Sequence, residues 1–183
     1  MIQKRDYIVS RLDICRKTPE ELLSGSLDDE ILSRFEMIIE TEAPIREALL
    51  FKRAINSYGL EKVGSRLQAL FSTIEARISF PYTDECGEKV FHRKDCDESY
   101  FRPTPDASIR YSYQIPYKEA ANAVIYILEK TGHSLYRKEI SELFLKEMGW
   151  ERQGSKVRDL LDGALRDERL FKSSNGRYFL NKQ

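Results

Sequence analysis

GLEKVGSR at 59–66 and GWERQGSK at 149–156 are one motif written twice, 90 positions apart. Gly59/Gly149, Glu61/Glu151, Gly64/Gly154 and Ser65/Ser155 are identical, and Lys62/Arg152 and Arg66/Lys156 keep their charge. Apolar positions on both sides align at the same offset without a gap: Ile45/Leu135, Leu50/Ile140, Ala54/Phe144, Tyr58/Met148, Leu67/Val157, Leu70/Leu160 and Phe71/Leu161. Self-similarity of this kind points to an internal duplication, and it is read before any single element because it sets the number of units.

Each copy has the same order of elements. The first helix carries Ile31, Leu32, Phe35, Ile38 and Ile39 in one copy and Ala121, Val124, Ile125 and Leu128 in the other, at helical spacing. A second helix is expected after Pro44, a residue suited to a first turn, with Leu50, Ala54, Ile55 and Tyr58 on its apolar face. Its counterpart presents Ile140, Leu143, Phe144 and Met148. Gly59 and Gly149 then stop these helices, and Ser65 and Ser155 are the expected N-caps of the third. The third helices bury Leu67, Leu70, Phe71 and Ile74, or Val157, Leu160, Leu161 and Ala164.

A β-hairpin is expected after each third helix. In the second copy it runs over 169–172 and 177–180, with Asn175-Gly176 as the turn signal; in the first, over 78–82 and 89–93 around the loop TDECGE at 83–88. Three helices and a hairpin describe a winged helix, a variant of the helix-turn-helix. The predicted fold is therefore mainly α (α+β): two tandem winged-helix-like domains at 28–93 and 117–183. An N-terminal helical extension at 1–27 holds a capping box at Thr18-Pro19-Glu20-Glu21, and 94–116, with Pro103, Pro105 and Pro116, reads as a linker.

Composition limits the function classes. In 183 residues, 30 Lys/Arg balance 30 Asp/Glu and 41% of residues are apolar, which describes an ordinary globular chain and excludes a uniformly basic coat. No stretch approaches the roughly 18 apolar residues of a membrane span, and Cys15, Cys86 and Cys96 are too few for a disulfide framework, so a cytoplasmic location is expected. Cys86, His92 and Cys96 lie close together, but without a fourth ligand or a CxxC knuckle they read as free thiols beside a surface histidine, not as a metal site. There is no Walker loop, nucleophile elbow or HExxH, so neither catalytic residues nor a cofactor are assigned.

The strings EAPIREAL at 42–49, GLEKVGSR at 59–66, Ile109-Arg110 and IPYKEAANAVIYIL at 115–128 carry a family resemblance. Over roughly residues 28–165 the chain resembles an uncharacterised C-terminal domain of large bacterial proteins that combine a superfamily-one helicase with, often, a Vsr-like endonuclease. The resemblance implies a setting in nucleic-acid metabolism or anti-phage defence, and a helicase or nuclease as a protein partner. It implies no catalytic residues, because that chemistry belongs to the helicase and nuclease parts.

The expected partner is DNA. In the first copy the third helix offers Arg66, Gln68, Ser72, Thr73 and Arg77 opposite its apolar face, with Lys89 and Arg93 on the wing. In the second copy Lys156, Arg158, Lys172 and Arg177 would contact the backbone, although Asp159, Asp162 and Asp167 stand among them. Residues 28–93 hold nine Lys/Arg against twelve Asp/Glu, a net of −3; residues 117–183 hold thirteen against ten, a net of +3. The better recognition face thus lies in the more acidic copy, which predicts weak and salt-sensitive binding. The alternative is a protein-docking or dimerisation module with solvated charged faces. Phe80, Tyr82, Phe91, Tyr100, Phe101, Tyr111 and Tyr113 would stack on single-stranded bases in one reading and pack the linker in the other, and packing is favoured.

Overall fold

A computed structural model describes residues 1–106 and 108–181. The chain forms two compact units, one over Ile8–Cys96 and the other combining Met1–Tyr7 with the chain from Asp97 onward. A two-residue strand, β1 (Gln3–Lys4), comes first, then α1 (Pro19–Leu23), α2 (Asp28–Glu42), β2 (Ile45–Arg46), α3 (Glu47–Ser57), α4 (Ser65–Glu75), β3 (Tyr82–Glu85) and β4 (Glu88–Phe91). After β5 (Tyr100–Phe101) and a 3-10 turn at Ser112–Gln114 come α5 (Tyr117–Thr131), β6 (Leu135–Tyr136), α6 (Arg137–Met148), α7 (Ser155–Ala164), β7 (Leu170–Lys172) and β8 (Arg177–Leu180). The architecture is α+β, and both units repeat the order helix, strand, helix, helix, hairpin. Each forms a three-stranded antiparallel sheet, β2-β4-β3 in the first and β6-β8-β7 in the second. No helix among the described residues is long and apolar enough to cross a membrane.

In the first unit, Phe35, Phe51 and Phe71 form a triad with ring centroids 5.2–5.4 Å apart, one pair stacked and two edge-on. One ring comes from each of α2, α3 and α4, so the triad fixes all three helices, with Ile31, Ile38, Ile39, Leu50 and Ile55 around it. Ile45 pairs with Phe91 and Arg46 with Val90, which places β2 in the sheet where a helix start was expected. The α3 helix therefore begins only at Glu47, beyond the first turn assigned to Pro44. The wing also differs from expectation. Cys86 (φ 58°) and Gly87 (φ 84°) both adopt the left-handed region, so a two-residue turn joins the strands and the pairing runs Tyr82↔Phe91 to Glu85↔Glu88. The second hairpin follows its turn signal, with Phe171 opposite Phe179.

Residues 1–27 do not form one extension. Gln3 and Lys4 pair in parallel with Tyr100 and Phe101 in the second unit. Further along, Cys15 and Lys17 donate backbone N–H bonds to the carbonyls of Ser57 and Tyr58 at 2.9 and 3.1 Å, and Ser10 donates both its N–H and its hydroxyl to Glu42. The capping box at Thr18 forms as read, with Glu21 reaching back to the Thr18 N–H at 2.7 Å.

The stretch read as a linker carries the most buried polar cluster of the second unit. Arg110 is 1% exposed and Glu119 2%. Glu119 receives both guanidiniums: Arg102 Nη2 at 2.8 Å and Nε at 3.0 Å, Arg110 Nη1 at 2.9 Å and Nη2 at 3.0 Å. The Tyr7 ring faces both cations, 4.2 Å from the Arg110 guanidinium carbon and 4.9 Å from that of Arg102. Burial alone would raise the Glu119 carboxyl, but Arg102 and Arg110 hold it at about 2.

Candidate nucleic-acid interface

α4 turns Leu67, Phe71 and Ile74 inward and leaves Arg66, Gln68, Ser72, Thr73 and Arg77 exposed, the face expected from its spacing. The side chains on that face differ in how committed they are. Thr73 donates its hydroxyl to the Ala69 carbonyl at 3.0 Å within its own helix, and Arg77 reaches Asp29 at 2.5 Å. Lys89 lies 3.0 Å from Glu75, a carboxylate with only 2% of its side chain exposed, and Arg93 is half-buried. Arg66 keeps an uncommitted charge: no carboxylate pairs with it among the described residues.

In the second unit Lys156 and Arg158 are likewise exposed on α7 with no carboxylate partner among the described residues. Of the neighbouring acids, Asp162 is bound to Arg137 at 2.6 Å, and Asp167 to Arg169 at 2.7 Å. Lys172 lies 5.6 Å over the Tyr178 ring, and Arg177 4.4 Å over that of Tyr136.

The starts of α4 and α7 share a feature that spacing alone did not give. Gly64 and Gly154, not Ser65 and Ser155, are the N-caps, and neither supplies a side-chain cap. Neither helix has an acid in its first turn, whereas α2, α3, α5 and α6 all do. A helix start with open N–H groups and the positive end of its dipole favours an anion. Arg66 or Lys156 stands in the first turn at each. The preceding helix stops are as read, since Gly59 (φ 75°) and Gly149 (φ 78°) are left-handed.

Behind α4, Glu47 at the start of α3 meets Glu75 at the end of α4. Burial, then the hydrogen bond and charge of Glu75, together raise the Glu47 carboxyl to about 7 against the opposing Lys89. A carboxyl raised on folding stabilises the protein fully below its unfolded value, 4.5, and that contribution is lost as pH rises through about 7. The first unit should therefore lose stability between about pH 5 and 8. Glu47→Gln should flatten this slope in urea midpoints measured across that range. An unchanged slope would mean that the carboxyl pair does not share a proton.

Of the aromatic cluster, Phe91, Tyr100 and Phe101 are buried, as the packing reading held. Tyr82, Tyr111 and Tyr113 are exposed, the last two stacked with centroids 5.3 Å apart. Cys86 and Cys96 are exposed, His92 Nε2 lies 2.8 Å from the Thr83 hydroxyl, and no group of three potential metal ligands occurs among the described residues.

A family model described as a protein of unknown function (DUF3320) matches residues 20–69, from α1 into α4. No curated protein and no solved structure matches the chain.

Proposed function

We propose that the chain is a non-catalytic nucleic-acid-binding module made of two winged-helix units, with α4 and α7 as the helices that approach duplex DNA. The observation that carries this reading is the duplicated start of those helices: Gly-Ser and then a cation, no side-chain cap, no first-turn acid, and no carboxylate on Arg66 or Lys156 among the described residues. Open amides beside an uncompensated cation suit a backbone phosphate. In a helix-turn-helix the second helix of the pair enters the major groove, and α4 and α7 stand second to α3 and α6 in chain order, across the longer connections 58–64 and 149–154. Gln68 and Ser72 would then reach base edges, and Arg158 a neighbouring phosphate. The resemblance over residues 28–165 supports DNA processing or anti-phage defence as the setting, with a helicase or nuclease acting in company with this module.

Fluorescence anisotropy of a labelled duplex between about 50 and 200 mM salt tests the reading. Binding should weaken steeply as salt rises. The triple substitution Arg66→Ala, Lys156→Ala, Arg158→Ala should lower the salt slope by about 0.9 for each phosphate contact removed. Unchanged affinity and slope in that variant would overturn the assignment of these helices.

A further inference from the structure

The outer face of the second sheet carries side chains that the fold does not require. Along β8, Tyr178 turns inward against the helices, so Arg177 and Phe179 point outward by the alternation of a strand. Phe171 sits opposite Phe179 with ring centroids 5.0 Å apart, and Tyr136 sits opposite Arg177. Tyr136 is 43% exposed, Phe171 52% and Phe179 37%. Three aromatic rings and a guanidinium thus share one solvent-facing sheet surface.

The first unit is an internal control. The pairs Ile45↔Phe91 and Leu135↔Tyr178 occupy the same place in the two sheets. Tyr136, Arg177, Phe179 and Phe171 therefore correspond to Arg46, Val90, His92 and Pro81. The same sheet forms in the first unit without one aromatic at these positions. There Arg46 is closed off by two carboxylates, Glu85 at 2.7 Å and Glu88 at 3.1 Å. In the second unit Arg177 donates to the Ser134 carbonyl at 3.0 Å and lies over Tyr136, so its charge is oriented but not neutralised. Lys172, paired with the inward Tyr178, belongs to the other face of the sheet.

We infer that this face is a stacking platform for unpaired bases of a single-stranded nucleic acid. Every base offers a π-face to an exposed ring, and Arg177 supplies a positive charge for the sugar–phosphate backbone. A docked protein would be served by the aromatics but not by an unneutralised guanidinium among them. Phe179 also borders a groove of about 560 Å³ lined by His133, Ser134, Asn181 and Glu129, whose carboxylate accepts the Ile2 N–H at 3.1 Å. His133 Nδ1 lies 2.8 Å from the Thr131 carbonyl, which it can meet only as a donor, so Nε2 is the ring atom left for a base edge. The inference rests on the nucleic-acid reading above and names a second surface and a second strand form for it.

The test uses the full chain with labelled oligo-dT, oligo-rU and a duplex, comparing wild type with Tyr136→Ala/Phe171→Ala and with Phe179→Trp. Both variants alter exposed side chains, and thermal melts check that they fold. Single-strand affinity should fall about tenfold or more for each ring removed, persist in Phe179→Trp, and leave duplex binding unchanged. Wild type that binds duplex but neither oligonucleotide, or single-strand binding indifferent to the double substitution, overturns the inference and leaves the duplex reading standing. No binding to any of the three overturns both. A wild-type dimer in sedimentation that the double substitution converts to monomer would instead make this face a contact between copies.

Discussion

Glu119→Ala should destabilise the second unit by about 3–5 kcal/mol, because it removes the carboxylate that two buried guanidiniums share. Arg102 and Arg110 make four charge-assisted bonds to that one carboxylate, and the Arg102 backbone N–H makes another at 3.1 Å. The Arg102 carbonyl and the faces of Tyr7 and Tyr100, which also meet these guanidiniums, carry no full negative charge. The same pair gives the unit an acid limit. With its folded value held at about 2, Glu119 contributes stability that is complete above its unfolded value, 4.5, and is lost as pH falls toward 2. Denaturant melts at neutral pH and thermal melts between about pH 2 and 5 report the two effects. A loss below about 1 kcal/mol in Glu119→Ala would show that the arginines find other partners or water.

Phe71→Ala should cost the first unit about 3–5 kcal/mol, the range for emptying a large aromatic site in a packed core. Its ring lies edge-on to both Phe35 and Phe51, so the substitution removes two aromatic contacts and leaves α4 without its anchor to α2 and α3. Ser72→Ala, one residue on and facing solvent, should change stability by no more than about 0.5 kcal/mol. The contrast separates what holds α4 in place from what its outer face does. Urea midpoints of the two variants that shift equally would contradict the placement of the helix.

Much of the candidate site was legible because it rests on helical periodicity. The exposure of Arg66, Gln68, Ser72 and Thr73 follows from the spacing of Leu67, Phe71 and Ile74, and no distant residue is needed to place them. Whether each charge is available was not legible, since Arg77 meets Asp29 forty-eight residues away and Lys89 meets Glu75 across the unit. The platform on the second sheet was missed for a related reason. Phe171 and Phe179 read as ordinary strand residues, and only their pairing across the hairpin shows that they share the outer face.

The sequence by itself determined the duplication, the three helices of each copy, the glycine helix stops and the Asn175-Gly176 hairpin, because these depend on residues within a few turns of one another. Tertiary structure decided the strands β2 and β6, which are two residues long and exist only through their pairing with β4 and β8. It also brought residues 97–116, most of the stretch read as a linker, into the second unit. Nothing in the local sequence marks its Arg102 and Arg110 as buried, because a buried charge is recognisable only from the groups that compensate it, here Glu119 and Tyr7.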